Sequence, residues 1–284
     1  MNRARFMPRF CFVATAVLTL CGVILRTICM LTQFDAEIGY FNEGFLPTLC
    51  RALYFVAAIV AVIGASLIPK GVLPVEWHIP HRLPLALVLG ASLALFTVAM
   101  FITMYSAILS FGHILHKLLA VLGLLGSTYF FVSANRQGKY PDRLSALALL
   151  PLLWSMMGVA ETYSDQLTTM NSPVKLALQM GFVGFMFILI AELRFRLQKT
   201  PAPRCAVALM SIGVFLCLNG SLPILVAMGA IHQTLHLLYA AVLLCAGLYG
   251  GYMLLCYTCF SEPVSVEPED SELSDTPSPE LDAD

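Results

Sequence analysis

Histidines at helical spacing are the side chains of this sequence best suited to chemistry. His113 and His116 are three residues apart and His232 and His236 are four apart, so each pair faces one side of a helix. If the two helices pack together, four imidazoles converge, and Zn²⁺ takes three or four such ligands. An open fourth position holding water would then support hydrolysis. A zinc site is therefore one hypothesis, and histidines that reach the membrane interface without a metal are the alternative.

Ionisable side chains of both signs collect at one level of the apolar runs, near their ends. An ionisable group at the centre of a bilayer costs about 2.5–3.5 kcal/mol, which explains why they avoid the centre. Together with the histidines, these residues predict a polar site near the outer face of a membrane, and purely structural ion pairs are the alternative. The predicted polar site consists of Asp35, Arg51, Lys117, Glu161, Asp165 and Lys175.

The stretch LNGSLPILVAMG, residues 218–229, interrupts an apolar run with residues that disfavour a helix. Asn219, Gly220 and Pro223 weaken the ladder of backbone hydrogen bonds, and a broken helix offers free backbone groups to a solute. We therefore predict a helix break there, with a proline kink accommodated by neighbouring helices as the alternative. The small residues of GLLGS (123–127) and GLYGGY (247–252) predict close contacts between helices.

The elements that must position these residues are membrane helices, because the chain is too apolar to fold as a water-soluble protein. It is 59% hydrophobic and 12% charged, with a mean hydropathy of +0.83, whereas soluble domains are about 25% charged. A helix needs about 20 apolar residues to cross a bilayer. We predict an all-α polytopic membrane protein with eight transmembrane helices, at about 9–33, 46–68, 83–106, 113–133, 144–162, 175–196, 205–229 and 234–259.

Lysine and arginine predict the orientation of the bundle. With the N-terminus inside, 12 of the 16 basic residues lie on the inner side, as the positive-inside rule requires. Both termini are then cytoplasmic, and the lipid bilayer is the first partner of the chain. We expect a multi-pass protein of a cell membrane, specifically the bacterial cytoplasmic membrane.

The chain divides into a membrane region, residues 1–260, and an acidic tail, residues 261–284. Nine of the 17 acids lie in the last 23 residues, among Ser and Pro, and this composition predicts disorder. The tail either recruits a protein partner or serves only as a solubilising end. Within the membrane region, Thr-x-x-Asp at 32–35 recurs at 162–165, so 9–133 and 144–259 are candidate four-helix repeats.

Two short motifs resemble a known group of proteins. FDAEIGYFNEG (34–44) follows the first helix, MNSPVKLALQ (170–179) opens the sixth, and AELRFR (191–196) closes it. The chain resembles uncharacterised multi-span bacterial inner-membrane proteins with a D-x-E-x-G-[FY]-[FY] first outer loop and an M-N-S-P-x-K-L segment. The resemblance covers the whole membrane region and implies a multi-span fold, but it implies no activity.

Three classes of function remain open from the sequence. A small-solute or ion transporter, or a ligand-sensing membrane protein, would use the polar site and leads the alternatives. The second class is a zinc-dependent membrane hydrolase that uses the histidines, and the third is a non-catalytic membrane subunit that acts through its tail. Phosphate-binding, dinucleotide-binding and HExxH motifs are absent from the sequence. We favour a non-enzymatic protein that binds no nucleic acid and no cofactor, with zinc as the exception under the second class.

Overall fold

A computed structural model describes residues 3–35, 38–42, 44–69, 83–103, 105, 114–134, 146–165, 172–197, 203–227 and 234–260. Within these residues the chain is all-α apart from one short β-hairpin. The helices are α1 (Arg3–Thr32), α2 (Phe45–Ser66), α3 (Leu83–Thr103), α4 (Ile114–Ala134), α5 (Leu149–Ser164), α6 (Pro173–Leu197), α7 (Pro203–Val226) and α8 (Thr234–Leu255), with a π-helical turn (Cys256–Phe260) extending α8.

Seven of these eight helices are long and apolar enough to cross a membrane, so the chain is that of a multi-pass integral membrane protein. The exception is α5, whose 16 residues extend about 24 Å at the helical rise of 1.5 Å per residue. It packs between α4 and α6 like the other members of the bundle. Each of the eight predicted segments overlaps one observed helix, so the all-α membrane fold is confirmed. The orientation of the termini and the two repeats stay predictions, and the tail lies outside the described residues.

A short hairpin joins α1 to α2. Its strands, β1 (Phe34–Asp35) and β2 (Tyr40–Phe41), pair antiparallel. The carboxylate Oδ1 of Asp35 accepts a hydrogen bond from the Ile38 backbone N–H at 3.2 Å, and Gly39 adopts a φ of 77°, which only glycine reaches without strain. Sequence reasoning placed a loop here and did not predict the strands. We call the end of the bundle that carries this turn the hairpin end.

Helices α3 to α8 form a closed ring. Each packs against the next along the chain, and α8 returns to α3. The first two helices pack against each other and against α7 on the outside of this ring. Their apolar side chains, such as Leu20, Phe55 and Ile59, are exposed, as expected for side chains that face lipid. The interior of the ring therefore holds the buried side chains, and α1 and α2 form a peripheral pair.

Glycines bring the central helices into backbone contact. A Cβ added at Gly184 of α6 would lie 2.7 Å from the carbonyl oxygen of Gly213 on α7, and one added at Gly220 would lie 2.5 Å from that of Ala177. Small residues allow such close approach between membrane helices. The close contacts predicted for the two glycine-rich segments are confirmed, because a Cβ at Gly123 or Gly247 would lie within 3 Å of a neighbouring helix.

The break predicted at Asn219, Gly220 and Pro223 is not observed, because α7 is one uninterrupted helix that contains Pro223. Two polar side chains near the proline bond to carbonyls within the helix. The Asn219 amide donates to the Phe215 carbonyl at 2.9 Å, and the Ser221 hydroxyl donates to the Cys217 carbonyl at 2.7 Å. These bonds satisfy two buried polar side chains within the helix, and neighbouring helices accommodate the proline, as is common in membrane helices.

Candidate functional site

Four helix ends meet at the hairpin end and bring ionisable side chains together. The last turn of α5 contributes Glu161, and Asp165 follows that helix directly. The first turns of three other helices supply bases, His116 from α4, Lys175 from α6 and His236 from α8. We call these five residues the acid–base cluster. His116 and His236 are distant in sequence from the other three residues, so the packing of the helices brings them together.

The first contact of the cluster joins α4 to α5. The Nε2 atom of His116 lies 3.1 Å from Oε1 of Glu161, within hydrogen-bonding distance, and the Glu161 side chain is 8% exposed. A carboxylate in such a place loses most of its hydration and needs a partner. The imidazole of His116 is that partner. The His116–Glu161 contact is shorter than the contact between His236 and Asp165.

The second contact joins α5 to α8 and α6. Nε2 of His236 lies 3.5 Å from Oδ2 of Asp165, and the His236 side chain is 2% exposed. The Lys175 ammonium donates a hydrogen bond to the backbone carbonyl of Asp165. Asp165 thus contacts a base through its side chain and another through its backbone. Because Asp165 N also donates to the Glu161 carbonyl at 3.0 Å, both acids are fixed relative to each other.

Arg26 ties the peripheral helices to the start of α6. Its guanidinium donates to the Tyr54 hydroxyl of α2 and to the Pro173 carbonyl, both at 2.7 Å. Arg26 is 7% exposed although α1 lies on the outside of the ring. The Arg26 side chain therefore links α1, α2 and α6. The link lies beside the acid–base cluster, because Pro173 is two residues before Lys175 in the chain.

Aromatic side chains close the ring below the cluster, toward the middle of the bundle. Phe96, Trp154, Phe182 and Tyr239 come from α3, α5, α6 and α8, and each is 2% exposed or less. Successive ring centroids in this cycle are separated by 5.4, 5.4, 5.1 and 5.3 Å. Most of these pairs have the edge-to-face geometry that aromatic rings prefer. We call these four side chains the aromatic floor.

Two members of the aromatic floor carry polar atoms that are buried. The indole Nε1 of Trp154 and the hydroxyl of Tyr239 have no hydrogen-bond partner among the described residues. Tyr239 lies one helical turn after His236, on the same side of α8. Buried polar groups normally find a partner, so these two atoms are candidates for contact with a bound solute or water.

The predicted polar site is assembled in part. Glu161, Asp165 and Lys175 come together with His116 and His236, while Lys117 lies half-buried at the start of α4. Of the two other predicted residues, Asp35 accepts a hydrogen bond from the Ile38 N–H in the hairpin turn, and the side chain of Arg51 is exposed on α2.

The zinc hypothesis stays a prediction. His113 and His232 lie outside the described residues, so two of its four ligands are not described. Among the residues that are described, no group of three or more His, Cys, Asp or Glu side chains has an arrangement that would hold a metal ion. His116 and His236 instead each contact a different carboxylate.

Arg26 and Tyr239 were not assigned to the site from the sequence. Arg26 is the one charged residue between Arg9 and Asp35, and its isolation within an apolar helix was a signal of a buried partner. Tyr239 follows His236 by three residues, a spacing that could also have marked it. Comparison of the chain with protein-family models, with curated proteins and with solved structures found no match.

Proposed function

We propose that this membrane protein binds a small polar solute or an ion at the acid–base cluster, as a transporter or a ligand-sensing protein. The observation that carries the proposal is two acid–imidazole contacts, His116–Glu161 and His236–Asp165, each with one buried partner, which span three helices. Ionisable groups within membrane bundles are costly and commonly mark the paths of solutes, ions or protons.

The side chains of the cluster suit a ligand that donates hydrogen bonds to carboxylates and accepts them from basic groups. Carboxylates accept hydrogen bonds, a lysine ammonium donates them, and an imidazole does either. A solute with an amine, a carboxylate or a hydroxyl group would find a partner here.

The aromatic floor supports a site that is closed on one side. The cluster lies at the ends of helices, whereas Trp154 is two turns deeper on α5 and Phe182 is two turns deeper on α6. Packed aromatic rings at this depth would block the passage of a polar solute toward the other end of the bundle. A transporter would have to separate these rings during its cycle, and a sensor would not.

The location and orientation are part of the same proposal. The distribution of Lys and Arg supports cytoplasmic termini, which would place the hairpin end and the acid–base cluster on the outside of a bacterial cytoplasmic membrane. The two sequence motifs support membership of the uncharacterised inner-membrane group. A protein partner for the acidic tail, and the subunit role that it implies, depend on residues outside the described part of the chain.

A binding screen followed by a flux measurement tests the proposal. Detergent-purified protein is heated with inorganic cations, amino acids and small organic acids, since a ligand raises the unfolding temperature by mass action. Compounds that stabilise the protein are then tested for flux into proteoliposomes. Binding without flux would favour the sensor, and binding with flux the transporter.

Matched variants separate a binding role from a structural one. Glu161→Gln and His236→Gln keep the size of the side chain and alter its charge or its hydrogen bonding, and we expect both to abolish the ligand-induced stabilisation. Arg51→Gln, an exposed change at the same end, should leave it intact. If every compound stabilises the cluster variants as well as the wild type, the cluster is structural and the proposal fails.

A further inference from the structure

We propose that Cys29 and Cys50 form a disulfide bond that joins α1 to α2 at the hairpin end. The inference rests on the proposed orientation, which places this end outside the membrane. It does not depend on what the acid–base cluster binds.

The two sulfur atoms are already in contact. Cys29 lies in the last turns of α1 and Cys50 in the second turn of α2, and their Sγ atoms are 3.4 Å apart. A disulfide bond is about 2.05 Å long, so closure requires an approach of roughly 1.4 Å, which small side-chain rotations supply. The two residues are 21 positions apart in the chain, and the segment between them is a tight connection.

The backbone around the pair holds this geometry. The Gln33 N–H donates to the Cys29 carbonyl at 2.9 Å, which ties the cysteine to the hairpin. The Asn42 N–H then donates to the Gln33 carbonyl at 2.9 Å and closes the connection from the side of α2. Since α1 and α2 also pack against each other, this packing keeps the two thiols close.

The reaction is a thiol–disulfide exchange with a disulfide-carrying oxidant protein of the outer compartment. One cysteine thiolate attacks a sulfur of the oxidant disulfide, forming a mixed disulfide and releasing one oxidant thiolate. The second cysteine then displaces the other oxidant sulfur. The chain loses two electrons and two protons, and the oxidant disulfide is reduced to two thiols.

Burial dictates when this reaction takes place. Cys29 is 0% exposed and Cys50 is 6% exposed in the folded bundle, so an oxidant protein cannot reach either sulfur after assembly. Exchange must occur while α1 and α2 emerge and before they pack against α7. The product is then enclosed, and burial protects it from reduction.

The test is differential alkylation of the full chain in intact cells. Cells are quenched in acid, free thiols are blocked with one maleimide in denaturing detergent, disulfides are reduced, and the released thiols receive an isotopically heavier maleimide. We expect the heavy label on both Cys29 and Cys50, and the light label on the control residues Cys21 and Cys205, which are exposed. Light label on Cys29 and Cys50 overturns the inference.

Single substitutions identify the partner. In Cys29→Ser the label on Cys50 should change from heavy to light, and in the control Cys21→Ser it should stay heavy. Persistent heavy label on Cys50 in Cys29→Ser means a different partner, which also overturns the inference. Because the readout is a peptide mass, it does not require the variant to be stably folded.

Sidedness is measured separately. Ile38 is exposed in the hairpin turn, so a membrane-impermeant maleimide should label Ile38→Cys in intact cells. If the hairpin is labelled but Cys29 and Cys50 are reduced, the disulfide alone is refuted. The proposed orientation and the proposed solute site are then unaffected. A protected hairpin refutes the orientation, and the disulfide inference falls with it.

Discussion

Replacing Gly213 by alanine tests whether the contact between α6 and α7 holds the bundle together. The added Cβ would lie 2.6 Å from the carbonyl oxygen of Gly184 and 2.8 Å from Cγ1 of Ile188. A carbon and a carbonyl oxygen approach comfortably to about 3.3 Å, so the first contact is too short by about 0.7 Å. Since the Gly184 oxygen belongs to the backbone of a helix, the two helices must separate.

The expected cost follows from that separation. Overpacking a tight core destabilises a protein by about 1–3 kcal/mol. The helix propensity of alanine offsets at most about 1 kcal/mol of it, and less where the unfolded state in detergent keeps its helices. We therefore expect Gly213→Ala to unfold roughly 2–12 °C below a Gly→Ala variant that gains the same helix propensity without a clash, using about 2–4 °C per kcal/mol.

The assay is thermal unfolding in mild detergent, followed with a thiol-reactive fluorophore that reports when buried cysteines such as Cys217 become accessible. Gly251→Ala is the matched control, because a Cβ there would meet only Val214 Cγ1 at 3.8 Å, an ordinary contact. We expect the control to unfold at the wild-type temperature or slightly above it. Equal unfolding temperatures for Gly213→Ala and Gly251→Ala would refute the argument that backbone contact limits this interface.

Three further substitutions have outcomes that the same thermal assay measures. Arg26→Met leaves two part-buried hydrogen-bond acceptors without their donor and should destabilise the protein by about 1–3 kcal/mol, whereas Arg51→Met, at an exposed position, should change little. Gly39→Ala places a side chain at a φ of 77° and should cost about 1 kcal/mol, so an unchanged unfolding temperature would argue against the hairpin turn. Trp154→Ala removes the largest side chain of the aromatic floor and should cost about 3–5 kcal/mol, while Trp154→Phe should recover most of the loss.

The positions of the long helices among the described residues were predictable because the bilayer fixes the length of an apolar segment. The segment predicted at 175–196 corresponds to Pro173–Leu197, and that at 46–68 corresponds to Phe45–Ser66. The predicted break in α7 was wrong for a local reason. Propensity opposes a helix at Gly220 and Pro223, but close backbone contact between Gly220 and α6 outweighs it.

The sequence predicted several residues of the candidate site, but it did not predict which of them contact each other. Ionisable residues near the helix ends marked Glu161, Asp165 and His236, but the hydropathy pattern does not say which helices are neighbours. The contacts among α4, α5, α6 and α8 depend on side-chain packing around the whole ring. Asp35 was assigned to the polar site from its position near a helix end, and the structure adds that its carboxylate accepts a hydrogen bond in the hairpin turn.

The aromatic floor gives the protein an optical probe of its own. The chain has two tryptophans, Trp77 and Trp154, so Trp77→Phe would leave a single indole between the acid–base cluster and the middle of the bundle. That indole is enclosed by Phe96, Phe182 and Tyr239, and its emission responds to the polarity of its surroundings. Entry of water between the rings would shift the emission to longer wavelength, so movement of the floor can be followed in real time without attaching a dye.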